Sequence, residues 1–164
     1  MEKTSEKWSQ SPYLCEVKLS YNPTFDVSTL PVLDSPSATV RYLREIWNMN
    51  TIELHEDFYL LLFNHSLQCL GWHKVSSGGK AATVVDISKV VSLALLGNAC
   101  SITIAHNHPS GGLKESKADI RITRRISDAL QLLGIQLNDH IILTRSSYCS
   151  FFERGLLSDS VAYG

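Results

Sequence analysis

The sequence predicts a mixed α/β sandwich. Short apolar runs of strand length alternate with stripes of helical spacing. They do so without the regular strand–helix–strand repeat of a wholly parallel sheet. The chain's 164 residues, 44% of them hydrophobic, suffice for one domain with a substantial core. No internal repeat or low-complexity segment interrupts the pattern.

Residues 1–12 are polar and expected to fray. Residues 14–19 and 30–33 are short apolar runs separated by Asn22-Pro23, which suits an edge strand or an extended arm. Asp34 or Ser35 caps a first helix, with Pro36 in its first turn and Val40, Leu43, Ile46 and Trp47 at helical spacing. Residues 56–63 make a short apolar strand, and Asn64-His65-Ser66 turns it into a second, 67–75. Gly78-Gly79 breaks the chain again. Asp86 caps a second helix whose stripe is Ile87, Val90, Val91, Ala94 and Leu95, ending at Gly97-Asn98. Residues 101–105 form a buried strand running into His106. A long helix from 117 to about 133 presents Ile120, Thr123, Ile126, Leu130 and Leu133, with Gly134 as its natural stop. Residues 135–143 are a further strand, Arg145-Ser146-Ser147 a turn, and 149–152 a last short strand. The organisation expected is an N-terminal arm over 1–34, partly disordered, one domain over 35–157 and a loose tail over 158–164.

Fifteen Lys and Arg against sixteen Asp and Glu leave a formal net charge of −1. The basic excess that draws a protein onto nucleic acid is missing, so net charge does not support DNA association. Arg121, Arg124 and Arg125 read as a solvated helix face beside Asp119 and Asp128. Cys15, Cys69, Cys100 and Cys149 form no C-x-x-C pair and read as free thiols in a reducing compartment. The N-terminus has no apolar signal core and no run is long enough to cross a membrane, so a soluble, cytoplasmic protein is expected.

The segment with chemistry in it is His106-Asn107-His108-Pro109-Ser110-Gly111, followed by Ser116 and Asp119. Residues two apart on a strand share a face, so both imidazoles can meet one ion. A Gly-rich loop then returns the chain so that Asp119, in the first turn of the long helix, lies near them. Two neutral nitrogens and a carboxylate make a three-ligand set that keeps a position for water, which marks catalytic rather than structural zinc. Ser-x-x-Asp at a helix start also reads as a capping box, and the two roles are compatible. Metal-assisted hydrolysis needs a base for the attacking water, and a carboxylate suits it. Glu53, Glu56 and Asp57 all lie at the start of the first apolar strand and compete for that role. His55, His65 and His73 read as surface groups, with modulation of Glu56 the alternative for His55, and Asp139-His140 as a structural hydrogen-bonded pair near the sheet, with support of the metal ligands as its alternative.

His-x-His, seven residues, Ser-x-x-Asp and a glutamate about 50 residues upstream resemble the JAMM (MPN+/JAB) metalloprotease signature. The block His106–Gly111, with LGIQLNDHIIL and ERGLL after it, resembles the RadC-like JAB family more closely still, over roughly residues 35–157. The resemblance implies a cytidine-deaminase-like fold, a central mixed sheet flanked by helices. It implies Zn2+ held by His106, His108 and Asp119, Glu56 as general acid/base, and Ser116 as hydrogen-bond donor to the oxyanion of a tetrahedral intermediate. The implied activity is hydrolysis of a peptide or isopeptide bond in a protein substrate. Longer members carry an N-terminal helix-hairpin-helix region associated with DNA, which about 34 residues cannot hold, and the family's DNA-repair label weakens accordingly. The rival expectation is a non-enzymatic metal-binding or DNA-associated module of DNA repair or mobile-element biology. A deaminase lacks support because the P-C-x-x-C ligands are absent.

Overall fold

The computed structural model describes residues 26–78 and 85–157. The expectations for residues 1–25, for Gly79 and for 158–164 lie outside them. Five strands form one mixed sheet in the order β2-β1-β3-β4-β5. They are β1 (Asp57–Phe63), β2 (Cys69–Ser77), β3 (Ser101–Asn107), β4 (Gln136–Leu143) and β5 (Tyr148–Ser150). Only β3 and β4 run parallel, and the other neighbours are antiparallel. Three helices, α1 (Pro36–Ile46), α2 (Ile87–Leu96) and α3 (Lys117–Gln131), complete the described elements, with one 3₁₀ turn at Val27–Thr29.

The side-chain alternation of each strand builds two cores. Tyr59, Leu61, Phe63, Ala105, Ile141 and Leu143 meet α1 through Val40 and Leu43 on one face. Phe58, Leu60, Ile102 and Ile104 meet α2 and α3 through Val90, Ala94, Ile126 and Leu130 on the other. A smaller cluster of Ile142, Cys149 and Phe151 closes the β5 end. β3 is buried along its whole length because it is the central strand with helices on both sides.

The three expected caps form. Ser35 accepts from Ala38 N, Asp86 from Ser88 N, and Ser116 from Asp119 N. Several boundaries differ from expectation for local reasons. The second strand begins at Cys69 rather than residue 67. Asn64 Oδ1 accepts from Ser66 N and Gln68 N, and Leu67 sits at φ 55, so the turn extends through it. Residues 30–33 contribute only an isolated bridge from Val32 to Gln68, not a strand. The last strand is Tyr148–Ser150, and Phe151 and Phe152 belong to the turn after it.

The long helix ends at Gln131, because Gly134 N bonds Gln131 O, Ile135 N bonds Leu130 O, and Gly134 takes φ 68. Leu133 is therefore 43% exposed and leaves the apolar stripe, as does Leu95 of α2 at 52%. At the end of α2 the left-handed residue is Asn98 (φ 49), while Gly97 turns at φ −77 and ψ 0 and lies close against Leu62.

Candidate metal centre

The β3-α3-β4 unit is the one parallel crossover among the described elements, and the site forms at the carboxyl end of β3. That is where parallel strands expose their ends and where a helix N-terminus enters. His106 lies in β3 on the α2/α3 face, 1% exposed, and His108 follows the strand end. His106 Nε2 and His108 Nε2 stand 3.0 Å apart. The first turn of α3 brings Asp119 to them, Oδ1 at 3.4 Å from His106 Nε2 and Oδ2 at 3.6 Å from His108 Nε2. Tetrahedral ligation at about 2.0–2.2 Å requires donor separations of roughly 3.3–3.5 Å. These donors therefore fit a small divalent ion. They are also the His/Asp group among the described residues that could hold a metal.

The hydrogen bonds around the donors support the same fit. His108 Nδ1 lies 2.8 Å from Gly112 O, which can only accept, so the Nδ1–H points there and Nε2 keeps its lone pair in the neutral ring. Ser116 and Asp119 complete a capping box: Asp119 Oδ2 accepts from Ser116 N at 2.6 Å, and Ser116 Oγ from Asp119 N at 3.1 Å. The carboxylate is thus oriented before any ligand arrives. Burial would raise the Asp119 carboxyl, but the neighbouring His108 and His106 imidazoles and the Ser116 bonds together hold it well below the usual carboxylate range. The Asp119 carboxylate 3.6 Å away raises His108, with burial opposing it. Burial pushes His106 down to about 4.

The three carboxylates that compete in the sequence part company here. Glu53 is exposed and paired with Arg145 at 2.9 Å. Asp57 is buried, 1% exposed, and engaged by Lys74 Nζ at 2.9 Å, Ser77 Oγ at 2.6 Å and His55 Nε2 at 3.3 Å. Glu56 sits one residue before β1, partly buried, and its charge acts on His108.

Asn107 was not singled out by sequence reasoning, yet it joins these parts. Its side chain is fully buried on the α1 face. Its Nδ2 donates to Ile52 O at 2.6 Å and His55 O at 2.8 Å, and its Oδ1 accepts from Asp57 N at 2.7 Å. The bonds bracket Glu56, on the backbone groups before and after it. The signal was in the motif itself: a polar residue between two strand histidines must point to the opposite face, where it has to find partners.

Asp139 and His140 are hydrogen-bonded to each other through the His140 backbone N–H rather than through its ring. Asp139 accepts from Ser150 Oγ at 2.6 Å, Phe152 N at 2.9 Å and the His140 backbone N at 2.7 Å. The His140 ring turns the other way, to His106 and Thr123. Arg121, Arg124 and Arg125 are exposed along α3, and His65 lies exposed in its turn. Cys69, Cys100 and Cys149 are free thiols, with Cys15 outside the described residues.

A mixed sheet between helices, with a His-x-His strand end facing a helix-borne aspartate, is an α/β fold of the JAB/MPN type. The chain belongs to the RadC-like JAB domain family, whose model matches residues 33–156. Among proteins similar to it is a UPF0758 protein of Flavobacterium johnsoniae, 39% identical over 102 residues, 62% of this chain and 44% of the relative. Another, from Neisseria meningitidis serogroup B, is 37% identical over 126 residues, 77% of this chain and 55% of the relative. UPF0758 protein YfjY of Escherichia coli is 40% identical over 102 residues, 62% of this chain and 64% of that protein. The chain spans about half the length of the first two of these relatives.

Proposed function

We propose that this chain is a zinc-dependent hydrolase of JAMM type, cutting peptide or isopeptide bonds in a protein substrate. The observation that carries the reading is the convergence of His106 Nε2, His108 Nε2 and the Asp119 carboxylate at 3.0–3.6 Å, with a glutamate whose charge reaches His108. His106, His108 and Asp119 would hold the ion, which when bound polarises a carbonyl and acidifies water. Glu56 takes the proton of the attacking water and returns it to the leaving nitrogen. Asn107 keeps the Glu56 backbone in register with the ligands. The Ser116 hydroxyl accepts from Asp119 N and so retains its own proton to donate to the carbonyl oxygen as negative charge grows there. The family membership supports the reading, together with the resemblance of His106, His108, Ser116, Asp119 and Glu56 to the JAMM signature.

The test is elemental analysis of the purified protein followed by a screen of peptide and ubiquitin-like conjugates. Wild type is expected to carry near-stoichiometric zinc, and His106→Ala and Asp119→Ala to lose it. Glu56→Gln should keep the metal and lose about 10²–10⁴-fold in turnover. A Glu56→Gln protein that cleaves as fast as wild type would remove the assigned base. A wild type that takes up no divalent metal would remove the hydrolase reading.

A further inference from the structure

Behind His106 lies a chain of buried polar groups that the proposed hydrolysis does not use. Thr123 Oγ1, on α3, is 2.6 Å from the carbonyl oxygen of Asp119 and 2.6 Å from His140 Nδ1. His140 Nε2, on β4, is 2.8 Å from His106 Nδ1. Thr123, His140 and His106 are 3%, 0% and 1% exposed.

Proton counting settles the direction of each bond. A carbonyl oxygen has no proton, so the Thr123 hydroxyl must donate to Asp119 O. Its oxygen then accepts, and His140 Nδ1 must carry the hydrogen. The His140 ring is packed between Phe58 and Phe151 and its two nitrogens are bonded to Thr123 and His106, so no carboxylate touches it to support a cation. A neutral ring has one N–H, already placed on Nδ1, so His140 Nε2 is an acceptor. His106 Nδ1 must therefore donate, and its Nε2 carries the lone pair that faces His108 and Asp119.

We propose that Thr123 and His140 are positioning residues, a buried relay from the Asp119 backbone that fixes His106 as the Nδ1–H tautomer and aims its Nε2 lone pair at the metal position. The relay ties two ligands on different elements, His106 on β3 and Asp119 on α3, to one hydrogen-bonded chain. A ligating histidine usually gives its other N–H to a carboxylate, a carbonyl or water. His108 follows that habit through Gly112 O. His106 instead uses a second imidazole, whose own tautomer is dictated by a threonine one helical turn beyond Asp119. The inference rests on the metal-site reading for its purpose, but the tautomer can be judged without metal.

The experiment is imidazole ¹⁵N NMR on metal-free wild type and on Thr123→Val, Thr123→Ser, His140→Leu and His140→Gln, at a pH where the rings are neutral, with zinc titrations of each. In wild type, His106 is expected to show a protonated Nδ1 and a bare Nε2. Thr123→Val and His140→Leu should mix or reverse that tautomer and weaken zinc binding about 10–100-fold. Thr123→Ser keeps the hydroxyl, and His140→Gln offers an amide oxygen to His106 and an amide N–H to Thr123. Both should keep the wild-type spectrum and bind zinc within a few-fold of wild type. A simple packing role would lower stability without moving the tautomer. His106 protonated at Nε2 in wild type would overturn the relay, and this result needs no variant to fold. So would Thr123→Val with unchanged tautomer and zinc affinity. A wild type that binds no zinc yet shows the expected tautomer would sink the metal reading and uphold the relay.

Discussion

Three imidazoles stand in a row at the end of β3, and their surroundings give them different proton affinities. Burial takes His106 down to about 4 and His140 well below its ordinary value, while the nearby Asp119 carboxylate raises His108. A histidine depressed by folding binds fewer protons than the unfolded chain does, so its contribution to stability falls as pH drops below the unfolded value. His106 acts in this sense between about pH 6.5 and 4, and His140 acts in the same direction. His108 acts oppositely: its contribution is present below about 6.5 and is lost as pH rises through its raised value. Two depressed rings outweigh one raised ring on the acid side. The metal-free protein should therefore lose stability from about pH 6.5 downward, before most carboxylates titrate. Urea midpoints measured in chelator across pH 4–8 check this. A profile flat down to about pH 4.5 would mean that the buried rings are not held neutral.

At the scale of elements, the site depends on where β3 stops and α3 starts. The buried strand delivers His106 on one face and Asn107 on the other, and the Ser116 capping box sets the first turn that carries Asp119. These are short-range consequences of alternation and capping, which is why the His-x-His and Ser-x-x-Asp spacings were readable in the sequence. The end of α3 came about two residues earlier than expected, at Gln131, while α2 ends at Gly97-Asn98 as expected. Gly134 does take the left-handed conformation, but Gly97 does not: Asn98 does. Gly97 is needed for a different reason. A Cβ there would stand 2.5 Å from Leu62 Cδ1 and 3.0 Å from Leu93 O. Gly97→Ala is therefore expected to destabilise by about 1–3 kcal/mol through overpacking. A gain of stability, as alanine gives at an open helix site, would contradict the close approach. Chemical denaturation of the variant decides it.

For the whole molecule, the central fact is that the three donor groups come from two elements whose packing is set by the sheet. An ion bound only by the folded arrangement stabilises it by mass action, about 2.7 kcal/mol at free metal 100 times Kd. Zinc should therefore raise the melting temperature of wild type in a concentration-dependent way and leave His106→Ala/Asp119→Ala unmoved. An equal shift in both would place the metal elsewhere. Among the described residues, no helix is long and apolar enough to cross a membrane.

Local patterning by itself determined the apolar strands β1 and β3, the caps at Ser35, Asp86 and Ser116, the mixed α/β class, and the identity of the residues that meet as His106, His108 and Asp119. These depend on residues within a turn or two of one another, or on a motif compact enough to be read as one unit. Only the tertiary structure brought Lys74 to Asp57 and Arg145 to Glu53, because those partners lie far along the chain. It alone turned His140 away from Asp139 and onto His106, 34 residues earlier, and closed Asn107 over the loop before β1, some 50 residues away. Such bonds form across a sheet register and a helix packed upon it, and no sequence periodicity encodes which distant strand becomes the neighbour.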